Sequence, residues 1–96
     1  AIFGYGLNNA GAKISVTNLV SSSGVVASDV SGVGTARSLL AAASYGGDKA
    51  IFAYGDTGSA SSRSNLVNSS GVVASDVTGV GTARYGLAAA GYSNAA

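Results

Sequence analysis

The chain has 96 residues, a net charge of +1, and neither cysteine nor histidine. That excludes disulfides, a thiol nucleophile, an imidazole base and the commonest zinc ligands. Five basic and four acidic residues lie scattered along the chain, so no electrostatic footprint for nucleic acid or an anionic membrane exists. No apolar run reaches the roughly 18 residues of a transmembrane helix, and no secretory leader pattern is visible. Ile, Leu, Val and Phe supply 22 residues, enough for a folded chain, but 18 alanines inflate the hydrophobic fraction of 47%. A lone chain is therefore expected to be short of core. Methionine is absent even at position 1, which suggests a processed product, a fragment or an engineered chain.

From the N-terminus, Ala1-Ile-Phe-Gly-Tyr-Gly6 opens an apolar run, and the polar stretch 7–17 follows as a surface turn. Residues 18–37, NLVSSSGVVASDVSGVGTAR, then return as NLVNSSGVVASDVTGVGTAR at 65–84, an offset of 47 with differences only at Ser21/Asn68 and Ser31/Thr78. The opening run returns as Ala50-Ile-Phe-Ala-Tyr-Gly55 at an offset of 49, so the intervening turn differs by two residues in length. Such an indel belongs in an exposed loop. Within the second unit four short runs, Leu39–Tyr45, Lys49–Tyr54, Ser64–Val67 and Gly71–Val77, are separated by turn residues. Short runs at this spacing, with β-branched Val72-Val73 and hairpin signals at Gly46-Gly47-Asp48 and Ser69-Ser70-Gly71, predict antiparallel strands. The stretch Ala36–Ser44 also contains good helix formers, which leaves a mixed helix-and-strand unit as the rival reading. Four strands in a unit of this length make one propeller blade.

With these elements laid out, Arg37-Ser-Leu-Leu-Ala-Ala-Ala-Ser-Tyr-Gly-Gly-Asp-Lys-Ala-Ile-Phe-Ala-Tyr-Gly55 resembles a kelch-type repeat. It has an arginine, an apolar first strand, a turn, and a second strand ending in glycine. The family's Gly-Gly doublet is Tyr54-Gly55 here, and the tryptophan of its fourth strand is missing. The resemblance implies an all-β fold of β-propeller blades, each with four antiparallel strands, two blades per chain. The Gly- and Ser-rich units also resemble tandem arrays of phage tail and surface proteins, which implies a virion-associated or extracellular setting; no residue specifies a compartment.

The whole of 1–96 reads as one two-blade fragment, with units at 1–37 and 38–84 and an isolated first strand at Tyr85–Asn94. Four residues separate Tyr45 from the next Ala-Ile-Phe, and four also follow Tyr92 before a second copy would begin Ala1-Ile2-Phe3. The segment 85–96 of one copy is thus expected to complete the first blade of another. Two blades do not close a ring, and unpaired edges are a liability, so the chain is expected to partner itself head to tail. A homotrimer gives six blades; four or eight blades, or an open β-solenoid, are the alternatives.

No catalytic, cofactor-binding or metal-ligating constellation is predicted, so the chain is expected not to be an enzyme and to need no cofactor. Repeat-equivalent positions nevertheless stand out. Asp29 and Asp76 are read as turn caps paired with Arg37 and Arg84, or as a polar site for a sugar or cation. Arg37 and Arg84 are expected to hydrogen-bond loop carbonyls between blades, with anion binding as the alternative. Tyr5 and Tyr54, like Tyr45 and Tyr92, either fill gaps between blades or stack on a glycan, as in a propeller lectin. Gly32-Val-Gly34 and Gly79-Val-Gly81 lack the third glycine and the strand-to-helix setting of a nucleotide loop. The Asn68-Ser69-Ser70 sequon has no counterpart at Ser21 and carries no weight.

Overall fold

The computed structural model describes residues 1–92, and the fold is all-β, with no helix among those residues. Five strands form: β1 (Ile2–Gly4), β2 (Thr17–Leu19), β3 (Ala41–Tyr45), β4 (Lys49–Ala53) and β5 (Ser64–Val67). β1 and β2 make a two-stranded antiparallel sheet, and β3-β4-β5 make a three-stranded one. The two units share one register, since Phe3 stands opposite Asn18 in the first and Phe52 opposite Asn65 in the second. The alanine-rich stretch becomes β3, not a helix. Five cross-strand pairs with β4, from Ala41–Ala53 to Tyr45–Lys49, override its helix propensity. Gly46 (φ 64°) and Gly47 (φ 82°) supply the left-handed residues of the turn that joins them.

The fourth run of each unit is held by two isolated bridges only. Val73 pairs with Val67 and Val77 with Ser64, as Val26 pairs with Val20 and Val30 with Thr17. The reason is a bulge. Leu66 and Ser64, two residues apart, accept from Ala74 and Val77, three residues apart. Leu19 and Thr17 accept from Ala27 and Val30 in the same way. One extra residue on the fourth run breaks the ladder and re-aims the side chains within it, among them Asp29 and Asp76. The described residues therefore contain no four-stranded sheet and no closed ring. The expected last strand is also absent: 85–92 has no strand assignment, and Asn94 lies outside the described residues. This segment borders β3, with the Gly86 N–H donating to the Leu39 carbonyl at 2.8 Å.

Turn chemistry explains one of the two differences within the matched stretch. The Asn68 side-chain oxygen accepts from the N–H groups of Ser70 (2.9 Å) and Val72 (3.0 Å). Ser21 Oγ accepts from Ser23 and Val25 in the same way, both at 3.2 Å. Either residue type closes this turn, so the substitution leaves the hairpin unchanged.

The core lies between the two sheets. Tyr5, Phe52, Val67 and Val73 are buried there, with Ile2, Val33, Leu40 and Ala50 packed around them. The Tyr5 and Phe52 rings meet edge to face at 5.1 Å. Gly4 lets the sheets approach, because a Cβ at this position would lie 2.9 Å from Phe52 Cζ and 3.0 Å from Thr17 Cγ2. Against this small core, large apolar residues including Phe3, Val25, Val26, Val72, Val80 and Tyr85 remain exposed.

Candidate functional site: the joint between the units

The most elaborate polar arrangement among the described residues is the seam where unit 1 meets unit 2. It starts from Tyr5, held with a left-handed backbone (φ 63°) where β1 ends. That conformation turns its ring onto Phe52 and lets its hydroxyl donate to the Val33 carbonyl at 2.9 Å. The Arg37 guanidinium lies over the same ring, 4.8 Å from its centroid. Arg37 is fully buried, and its Nη2 donates to Asn65 Oδ1 across the seam. Its Nε and Nη1 have no hydrogen-bond partner among the described residues, so the ring face is their principal compensation. Burial pulls the Arg37 pKa below its ordinary value, against the raising influence of Tyr5 and Asp76. Burial likewise raises the Tyr5 pKa, which Arg37 opposes and Asp76 reinforces.

Asn65, also fully buried, is the other half of the seam. Its Nδ2 donates to the Ala74 carbonyl (3.1 Å) and to Asp76 Oδ1 (2.9 Å), which fixes its oxygen as the acceptor for Arg37. Asp76 receives the backbone N–H of Thr35 at 3.1 Å and the Thr35 hydroxyl at 2.6 Å. Arg63 adds a donor to Thr35 Oγ1 at 2.8 Å and lies 3.7 Å from Asp76. Burial alone would raise the Asp76 pKa, but hydrogen bonds from Thr35 and Asn65, with the Arg37 charge, outweigh it and hold the carboxyl below its ordinary value.

The sequence-predicted positions distribute as follows. Asp76 accepts from Thr35 and Asn65 and lies by Arg63, and among the described residues neither the expected Asp76–Arg84 pair nor the Asp29–Arg37 pair forms. Asp29 accepts from Asn18 Nδ2 at 2.8 Å. Neither aspartate acts as a cap of the turn before Gly32 or Gly79. Arg37 reaches a side-chain oxygen instead of a loop carbonyl, while Arg84 donates to the Thr82 carbonyl at 3.0 Å. Arg84 also stacks over the Tyr54 ring at 4.2 Å, and Tyr54 donates to the Val80 carbonyl at 3.1 Å. Tyr45 and Tyr92 lie apart from the seam, flanking an open groove of about 440 Å³ with Ser44 and Gly91. Sequence reasoning missed Asn18, Asn65, Thr35, Thr82 and the Phe3/Phe52 pair. Near-identity of the repeats hides them, because interface and filler residues recur alike.

No three acidic side chains come together among the described residues, so no cation cage is present there. Comparison with protein-family models, curated proteins and solved structures gives no match for this chain.

Proposed function

We propose that the chain is a non-enzymatic structural module, a pair of kelch-like blade repeats that assembles with copies of itself into a propeller-like ring. One observation carries this reading: in several repeat-equivalent pairs the member on the seam is buried and its counterpart is not. Phe52 is 4% exposed and its counterpart Phe3 is 62% exposed; Val73 is 8% exposed and Val26 is 54% exposed. Tyr5 and Arg37 are buried, whereas Arg84 is open to solvent. Two apolar, half-built faces thus stand at opposite ends of the pair, and covering them is the largest available gain in burial. The β3–β4 register, transferred by the repeat, sets Ala88, Ala89 and Ala90 of one copy opposite Gly4, Phe3 and Ile2 of the next. A trimer then has six blades. Native mass spectrometry tests the reading: a single closed species at a small integer multiple of 9.1 kDa, three favoured, supports it. A folded monomer at all accessible concentrations, or an open-ended ladder of sizes, defeats the ring.

The groove between Tyr45 and Tyr92 supports a second reading, a carbohydrate-binding module of the same architecture. Tyr92 is 86% exposed, and two exposed rings beside serine and glycine backbone are the usual furniture of a shallow sugar site. Saturable binding in a glycan screen that is lost in Tyr45→Ala supports it; no binding across the screen removes it.

A further inference from the structure

We propose that the chain carries the two complementary halves of one polar latch, and that a second copy docks by placing its Asn18 and Asp29 on Arg84 and Thr82 of the first. This rests on the self-assembly reading and adds to it which faces meet and which groups lock them.

The internal seam supplies the template. There Arg37 donates to Asn65, Thr35 donates twice to Asp76, and the Tyr5 ring packs on Phe52. Moving each residue by one repeat gives Arg84, Thr82 and Tyr54 on the outer face of unit 2, and Asn18, Asp29 and Phe3 on the outer face of unit 1. All six are present, and each face keeps its half of the geometry without the other. Asn18 Nδ2 is already engaged by the Ala27 carbonyl (3.2 Å) and by Asp29 (2.8 Å), so its oxygen is left for an incoming donor, as in Asn65. Arg84 is already stacked over Tyr54, and the Tyr54 hydroxyl already holds Val80, as Tyr5 holds Val33. Tyr54 has the same left-handed backbone as Tyr5 (φ 64° and 63°). Side chains ordered in advance lose little freedom on docking, so the joint forms at low entropic cost. The outer face of unit 2 also carries the Arg84 guanidinium and that of unit 1 the Asp29 carboxylate, opposite charges that favour this direction of docking.

The repeat departs from identity at one informative place. Arg63, which reaches across the internal seam to Thr35 and Asp76, is replaced in unit 1 by Val16. The joint between copies therefore lacks one arm and is the weaker of the two. Val16→Arg should restore it and tighten association about three- to fivefold, the worth of one partly exposed charged contact.

The test uses two variants, each spoiling one face: Phe3→Asp on unit 1 and Arg84→Asp on unit 2. Far-UV circular dichroism first establishes that both remain folded, as expected for exposed positions. Light scattering coupled to size exclusion should then find the unaltered chain assembled and each variant alone monomeric. Mixed in equal amounts, the variants should form a dimer and nothing larger, because one intact joint remains and the other would oppose two aspartates. If each variant alone assembles like the unaltered chain, the latch is wrong while self-assembly stands. The latch also falls if both variants are monomeric and their mixture stays so. An unaltered chain that is monomeric throughout overturns the latch and the self-assembly reading together.

Discussion

Arg37 and Asn65 join the two units through one hydrogen bond between side chains that are both fully enclosed. The pair is asymmetric in what it leaves behind. Removing the arginine strands a buried amide oxygen and opens a void over the Tyr5 ring. Arg37→Ala should therefore destabilise the folded chain by about 3 kcal/mol, read from urea unfolding. Arg84→Ala, at the equivalent but exposed position, should change monomer stability by less than about 0.5 kcal/mol. Equal losses for the two would contradict the buried seam.

Gly4 is where the first unit departs from the second, which has Ala53 at the equivalent position. Gly4→Ala pushes a methyl group against Phe52 and Thr17, and overpacking of this kind costs about 1–3 kcal/mol. The reciprocal Ala53→Gly lies on the open face and should lose about 0.5–1 kcal/mol, the strand penalty of glycine alone. Thermal melts of both variants separate packing from propensity.

Asp76 gives the fold a defined acid sensitivity. Its carboxyl ionises at lower pH in the folded chain than its unfolded value of about 3.9. The folded state therefore binds the proton less readily, and stability from Asp76 is present above about pH 4 and lost as pH falls through the lower folded value. In Asp76→Asn this contribution is absent at every pH. The stability gap between the unaltered chain and the variant should shrink between about pH 5 and pH 2. A constant gap would show that the carboxylate is not stabilised by its Thr35 and Asn65 donors.

Leu39 has a left-handed backbone (φ 55°), and its repeat equivalent is Gly86 (φ 68°). Its side chain is largely exposed, so the strain is not offset by packing. Leu39→Gly should be neutral or stabilising by up to about 1 kcal/mol, whereas Leu39→Ala keeps the strain and should not raise the melting temperature.

Removing 85–96 should abolish assembly while leaving β1 to β5 intact. The strand pairings and bridges of β1 to β5 among the described residues reach no further along the chain than Val77, and the removed segment is the one proposed to complete the blade of a neighbouring copy. The same oligomer from the shortened chain would disprove strand sharing.

Much of the local structure was legible from residue types. Alternating short runs divided by glycine and serine marked β3, β4 and β5 within a residue or two, since strand preference and turn chemistry act over neighbouring positions. The repeated motifs around Phe3 and Phe52, and around Arg37 and Arg84, also foretold that the units would fold alike. What the repeat could not reveal is which member of each pair is buried. Sequence treats Phe3 and Phe52 as equals, yet only Phe52 has a second sheet laid over it. The bulge at Asp29 and Asp76 was hidden too, because an extra residue in a ladder depends on the partner strand and not on the run itself. The sequence alone determined the two-unit period and the turns, whereas pairing with β4 decided that the alanine-rich stretch is a strand and so completed the all-β class. Tertiary packing alone decided that Arg37, Asn65, Thr35 and Asp76 form one seam. Those residues lie 28 and 41 positions apart in their cross-seam pairs, and only the stacking of one sheet on another brings them within hydrogen-bond reach.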